Sequence, residues 1–549
     1  MAFPTDAQLA GLSILLIDDM SLVRQELRSQ LGQLGASNVV QASAPDEAIE
    51  KMRKATFDLV LCDYNLNRQT DGQQLLEYVR AQGILTLATL FVMVTAEQEY
   101  VAVASAAEVL PDDYVLKPFT TNALGERLKS ILARQIAFKT VNQRVAKKDY
   151  AGAAAACIPL AEPTSKYQIL ALRRRAECHL EIGQHAQAKL IYDQLLAMRA
   201  DLTWAQLGLA KCLKSANLHV EAATATAAVV EANPKFVQAY DLLADLAEEQ
   251  GDDERALQIL LKSAAVVPSA RRSRRVADVA YRAGDLACAR ENYAVVCKLT
   301  RGSRTADAAD VLQLSQVHLD EGNAAAAMAL LSDPQTVYAA RSGTAGVAAA
   351  TAALEVRALA QSGDRAGAEA KLKSIMASAE APRADLATIL LAKANMAVGN
   401  EVAATEILSA VVRTDHDNKK MVNMVRSAMV NSGMKEQIDS IIHREVEGTN
   451  AKVKHAETLV RQFEHDQAVK CIEEALAETP ENTTVMLAAS QITLFWLSRQ
   501  TQLDRAAVDK IRGYLATLTL LMPGNPRIAL QNKFLVETIT KLAPSREAA

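Results

Sequence analysis

Three carboxylates stand at the ends of two short apolar runs. Asp18 and Asp19 close Ser13-Ile14-Leu15-Leu16-Ile17, and Asp63 closes the run from Phe57 to Cys62. Leu90-Phe91-Val92-Met93-Val94 stops at Thr95, and Asp113-Tyr114-Val115-Leu116 stops at Lys117-Pro118. Acids, a hydroxyl and an ammonium can therefore converge if the four runs are neighbouring strands. A hard cation such as Mg2+ takes oxygen ligands and keeps several waters, so one or two carboxylates and a bound phosphate suffice to hold it. Without a cation, three clustered carboxylates repel one another, and at least one is driven to take up a proton. The carboxyl ends of the strands are the usual ligand site of an open, doubly wound α/β sheet.

The elements needed for that geometry follow from the pattern. Strands are expected over 13–18, 38–42, 57–63, 90–95 and 113–117, and helices over 21–33, 45–54, 72–82, 98–107 and 120–134. This alternation of strand and helix specifies parallel crossovers.

With the acid pair, the single Asp, the Thr, the Tyr and the Lys-Pro in this order on successive strands, residues 12–134 resemble a two-component response-regulator receiver of the chemotaxis type. The resemblance implies a flavodoxin-like fold with a five-stranded parallel sheet in the order 2-1-3-4-5. It implies that Asp63 is the phosphoacceptor, supplied by a sensor histidine kinase, a phosphotransfer protein or a small phosphodonor. Mg2+ would be held by Asp18, Asp19, Asp63 and the main-chain carbonyl of Asn65. Lys117 would neutralise charge on the phosphoryl group and Thr95 would bind one of its oxygens, with Tyr114 following Thr95 as the switch aromatic. Asn65 and Glu97 occupy the positions that tune attack of water on the acyl phosphate, and Lys117-Pro118 is the place for a cis peptide. The only chemistry implied is Mg2+-dependent self-phosphorylation and autodephosphorylation, so no further enzyme is expected. Two loops depart from the family pattern. The stretch from Asn65 to Gly72 is one residue longer and lacks the customary proline, and Leu110-Pro111 replaces the usual Gly-Ala.

After residue 135 strand-like runs vanish, and alanine-rich segments of helical period take over. A small residue recurs at Ala153, Ala188, Ala222, Ala256, Ala289, Ala327, Ala368, Ala404 and Ala468, with Ile438 in an equivalent slot, usually five positions after a Gly or Asn. The steps Ala188 to Ala222 and Ala222 to Ala256 are each 34 residues, the period of tetratricopeptide repeats. Trp204-x2-Leu207-Gly208 opens one unit. Tyr240-x2-Leu243-Ala244 opens the next, whose Pro268 lies 34 residues after Pro234. A small residue is needed where the two helices of a hairpin cross, and the proline stops the second helix. The expectation is an all-α solenoid over 135–542 of about ten or eleven hairpins with capping helices from about 482, followed by a disordered tail over 543–549.

Composition narrows the function. The 60 basic and 64 acidic residues give a net charge of -4, which offers no case for nucleic acid or an anionic membrane surface. No apolar stretch approaches the roughly 20 residues of a membrane span, and the N-terminus lacks the basic start and apolar core of a secretory signal. A cytoplasmic protein is expected. The seven cysteines are dispersed, with no Cys-x-x-Cys, and read as reduced, mostly buried thiols. The run Arg271-Arg272-Ser273-Arg274-Arg275 is expected to be a solvated helix face.

The favoured reading is a phosphorylation-controlled regulator of a phosphorelay whose repeat array binds a protein ligand as its output. The alternatives are a constitutive scaffold whose receiver only docks or forms a homodimer, and a phosphate sink.

Overall fold

The computed structural model describes residues 9–66, 71–86, 88–96, 111–301, 307–332, 345–378, 385–414, 419–430, 438–522 and 525–542. The expected helix over 98–107, Glu97 and Leu110 lie outside them.

The N-terminal elements are β1 (Ser13–Ile17), α1 (Ser21–Gln33), β2 (Asn38–Ala42), α2 (Pro45–Lys54), β3 (Leu59–Asp63), α3 (Gly72–Ala81), β4 (Leu90–Thr95), β5 (Asp113–Leu116) and α4 (Thr121–Ala137). The strands form one parallel sheet in the order β2-β1-β3-β4-β5, as the sequence predicts. Alternate residues feed two cores. Ile14, Leu16, Leu59, Leu61, Val92 and Val94 pack with Leu27 and Leu31 of α1 and Leu124 and Leu128 of α4. Leu15, Ile17, Val60, Cys62, Phe91 and Met93 pack with Ile49 and Met52 of α2 and Leu75 and Val79 of α3. A sheet covered on both faces needs unbroken apolar strands, which is why these runs do not alternate with polar residues. β3 is shorter than expected, because Phe57 and Asp58 precede the ladder; the Asp58 carboxylate instead accepts the Ser13 amide at 2.9 Å. α4 runs to Ala137, three residues beyond the expected end.

From Lys139 the described elements are helices apart from one 3-10 turn. Consecutive helices pack as hairpins, among them Gln168–Glu181 with His185–Met198, Thr203–Ser215 with His219–Ala232, Ala345–Gln361 with Arg365–Ser378, and Leu386–Ala397 with Glu401–Thr414. The marker alanines each occupy the fourth residue of a second helix, and all nine are fully buried. The residue five positions earlier has positive φ in every case, including the non-glycines Lys148 (58°), Asn217 (60°) and Phe463 (65°). The turn geometry is thus kept where the glycine is not. Gly208 lies against the Tyr192 ring, so a Cβ there would collide with it. That contact explains the glycine of the Trp204 signature.

Ile438 opens the described helix Ile438–Arg461, and residues 431–437 before it lie outside the described ones, so its marker slot is not placed. Gly448 lies mid-helix with open space where a Cβ would be, and neither it nor its neighbours supplies a break. One expectation fails: the basic run is not a solvated face. Arg274 pairs with Asp310 and Arg275 with Glu248 at 2.9 Å, both acids being buried.

By compactness the chain divides into two units. One comprises Met1–Leu246, Ile259–Ser273 and Val295–Asp307, and the other Ala247–Gln258, Arg274–Ala294 and Ala308–Ala549. The second unit contains a buried ionic cluster. Lys393 and Asp320, both without solvent exposure, meet at 2.7 Å; Arg357 donates to Asp320 at 2.6 Å, and the Tyr281 hydroxyl at 2.7 Å. Burial pushes the Lys393 ammonium down to about 8, aided by Arg357 and opposed by Asp320. Burial would raise the Asp320 carboxyl, but Lys393 and Arg357 hold it below its ordinary value. Farther along, Asn423 donates to Asp253 at 2.8 Å and to the Gly251 carbonyl at 3.2 Å, and Ser427 donates to the Tyr281 carbonyl at 3.1 Å.

Candidate functional site

The sheet register brings the strand-end residues together. Ile17 pairs with Cys62, so Asp18 and Asp63, each one residue on, leave neighbouring strands side by side. Thr95 pairs with Leu116, and the Lys117 amide donates to the Thr95 carbonyl at 2.7 Å, which turns the lysine back over the sheet edge. Its ammonium lies 2.8 Å from Asp63 Oδ1 and 3.1 Å from Asp18 Oδ2. The Lys117–Pro118 bond is cis.

The acids are held from behind. Asp18 is almost fully buried, and its Oδ1 accepts the Met20 amide at 2.8 Å. Arg24, on the first turn of α1, donates to the main-chain carbonyls of Asp18 at 2.6 Å and Asp19 at 3.0 Å. Behind Asp63, Gly72 packs against its carbonyl oxygen so closely that an added Cβ would overlap it, and would lie 2.9 Å from Met93 Sδ. Asp71 caps α3 by accepting the Gln74 amide at 2.7 Å, and Gln74 returns a bond to the Asp71 amide at 3.1 Å. Gly72 thus starts a helix directly behind β3, where only a residue without a side chain fits.

The electrostatics express a surplus of acid. Burial pushes the Asp63 carboxyl up; Lys117 opposes this, and Asp18 and Asp19 add to it, leaving the group above its ordinary value. Burial disfavours the Lys117 ammonium, yet Asp63 and then Asp18 more than offset that and raise it. Three carboxylates against one ammonium leave net negative charge at an oxygen-rich edge. That donor set suits a hard divalent ion. Among the described residues no three acids stand close enough together to hold a metal ion as they are.

Thr95 is buried at the end of β4 and Asn65 is exposed just past Asp63. Tyr114 lies on β5, with its phenol oxygen buried and without a hydrogen-bond partner among the described residues. Burial, and then Asp113, push that phenol well above its ordinary value. The structure thus gathers Asp18, Asp63 and Lys117 directly, with Asp19, Asn65, Thr95 and Tyr114 around them. Arg24 and Gly72 were not singled out from sequence. An arginine one helical turn after an acid pair, and an Asp-Gly at a helix start, are the signals that could have marked them.

Comparison with known proteins agrees with this geometry. Residues 14–129 match the model of the response regulator receiver domain. The chain is 33% identical over 123 residues to the chemotaxis protein CheY of Pseudomonas aeruginosa, covering 98% of that protein and 22% of this chain. It is 32% identical over 124 residues to the chemotaxis protein CheY-3 of Vibrio cholerae, covering 94% of that protein and 23% of this chain. Among solved structures it is similar to a tetratricopeptide repeat protein from Parabacteroides merdae, at 15% identity and a TM-score of 0.30, covering 48% of this chain and 98% of that one. It is also similar to the C-terminal part of a repeat protein from Cytophaga hutchinsonii, at 16% identity and a TM-score of 0.30, covering 52% of this chain and 98% of that one.

Proposed function

Through residues 14–129 the chain belongs to the response-regulator receiver family, and on that premise we propose that Asp63 accepts a phosphoryl group and that the helical array turns this into protein binding. The observation that carries the reading is the placement of Lys117 within hydrogen-bonding distance of both Asp63 and Asp18. A carboxylate oxygen of Asp63 attacks phosphorus as the phosphorus–nitrogen bond of a donor phosphohistidine breaks, so no proton need be removed from the nucleophile. Phosphoryl transfer leaves a protein mainly positioning and charge neutralisation to supply. Lys117 meets the charge on the transferring group, with its main chain fixed by the Thr95 carbonyl. Asp18, Asp19, Asp63 and the Asn65 carbonyl would hold Mg2+, which supplies further neutralisation of the phosphoryl oxygens. Arg24 keeps the acid pair aimed at the site by tying down its carbonyls.

Thr95 turns toward the new phosphoryl oxygens, and Tyr114, whose hydroxyl has no partner among the described residues, moves with it. The donor is a sensor histidine kinase or a phosphotransfer protein, which places the chain in the cytoplasm. No described helix is long and apolar enough to cross a membrane. Asn65 retains its proposed part in setting the lifetime of the acyl phosphate.

The test is transfer from a phosphorylated histidine phosphotransfer protein to the full chain. Label should reach the wild type and not Asp63→Asn, and Lys117→Ala should slow transfer by about a hundredfold. Transfer to Asp63→Asn at the wild-type rate would refute the reading.

A further inference from the structure

Resting on the reading of the array as a protein-binding output, one surface deepens it. Helices in the middle of the second unit are bonded to one another: Lys393 to Asp320 and Tyr281, Asn423 to Asp253, Ser427 to Tyr281. A ligand entering there would have to break buried charge-assisted bonds. The last helices differ. Ile438–Arg461, Thr483–Leu497 and Pro526–Leu542 surround an open cleft of about 790 Å3, floored by Val460, Ile492, Phe495, Leu530 and Phe534.

Each helix presents residues of one face to that cleft. Arg527, Leu530 and Phe534 follow at steps of three and four along the last helix, and Val460 and Arg461 lie three and four positions after Glu457 on the first. A helix face exposed to solvent is normally polar. Here Leu530 is 66% exposed and Phe534 41%. A clustered apolar floor of this kind marks an interaction site rather than a solvated end. Residues 543–549, Ala-Pro-Ser-Arg-Glu-Ala-Ala, hold no large apolar side chain and balance one acid with one base, so they match neither the floor nor the rim.

The rim selects the occupant by charge. Arg461 and Arg527 line the cleft, and neither forms an ion pair among the described residues. Arg499 stacks on the Phe495 ring at 5.1 Å, which brings a third guanidinium to the edge of the floor. Glu457 is the one acid in the lining. We propose that this cleft is the docking site of a partner protein, and that it takes an acidic segment carrying large apolar side chains. The apolar side chains fill the floor, and the carboxylates meet Arg461, Arg499 and Arg527.

The test uses the full chain without phosphodonor and two labelled synthetic peptides that share leucine and phenylalanine positions. One carries glutamate elsewhere and the other lysine. Fluorescence polarisation should show the acidic peptide binding at least about tenfold more tightly. The double variant Arg461→Glu, Arg527→Glu, whose side chains are exposed, should reverse the preference while circular dichroism stays unchanged. Phe534→Ser should weaken the acidic peptide by about tenfold. Equal binding of the two peptides, binding of neither, or an unaltered preference in the reversal variant would overturn the proposal. A concentration-dependent dimer dispersed by Leu530→Ser would overturn it in favour of a second copy of the chain. Repeating the measurement on Asp63→Asn separates the outcomes, because this surface stands or falls whether or not Asp63 accepts phosphate.

Discussion

The Lys117 ammonium donates to Asp63 Oδ1 across 2.8 Å, although the two residues are 54 positions apart. The same ammonium reaches Asp18, so one cation ties the ends of three strands. Under the proposed function it is the cation that would meet the charge of a phosphoryl group on Asp63.

Gly72→Ala should damage the site without touching a charged residue. Its Cβ would overlap the Asp63 carbonyl oxygen, and the main chain of Asp63 would have to move. A cost of about 1–3 kcal/mol is expected from such overpacking. Hydrogen-exchange protection at β3 should fall by a matching factor, and under the proposed function phosphoryl transfer to Asp63 should slow with it.

Tyr114→Phe should be tolerated or slightly stabilising in the unphosphorylated state. The hydroxyl that it removes is buried without a partner among the described residues, and such a group costs free energy. Exchange at β5 amides should slow by up to about fivefold, corresponding to roughly 1 kcal/mol. Tyr114→Ala should instead speed that exchange strongly, since the ring packs on the core that includes Phe91 and Met93.

Asp71 gives the receiver a pH dependence of defined sign. Burial, reinforced by Glu77 and opposed by the bond from Gln74, pushes its carboxyl up to about 6 from the ordinary 3.8. A raised carboxyl binds its proton more tightly when folded. Its stabilising contribution is present below 3.8 and is lost as pH rises through about 6. Asp71→Asn keeps an N-cap side chain and removes the buried charge. The variant should match the wild type near pH 4 and exceed it near pH 7.5 by about 1–2 kcal/mol, read from α3 exchange. Equal stabilities at both pH values would contradict the assignment.

In the array, Asp320→Asn and Lys393→Met should differ sharply. The first leaves Lys393 and Arg357 buried without their carboxylate, at a cost of about 3–5 kcal/mol. The second leaves Asp320 paired with Arg357 and bonded to Tyr281, and it removes an ammonium that burial disfavours. Its cost should be below about 1.5 kcal/mol. Denaturant unfolding of the second unit, followed at Trp496, checks the order.

The sheet and the strand-end cluster were legible because each signal is local. An apolar run ending in Asp18, Asp63, Thr95 or Lys117 fixes both the strand and the edge at which the side chain emerges. The hairpin turns were legible for the same reason, since Gly183 and its equivalents mark a left-handed residue before a buried alanine. What escaped depends on distant pairing. Lys393 and Asp320 are 73 residues apart, and each reads alone as an ordinary solvent-facing charge. Arg274 and Arg275 looked like a solvated run because their acids, Asp310 and Glu248, lie on other helices. Gly72 is a loop residue in sequence, and only the approach of β3 shows that its missing side chain matters.

The most direct measurement is the intact mass of the full chain after incubation with acetyl phosphate, with and without MgCl2. The account predicts gain of a single phosphoryl group that requires Mg2+ and is absent in Asp63→Asn. No gain in the presence of Mg2+, or a gain that survives Asp63→Asn, would contradict it.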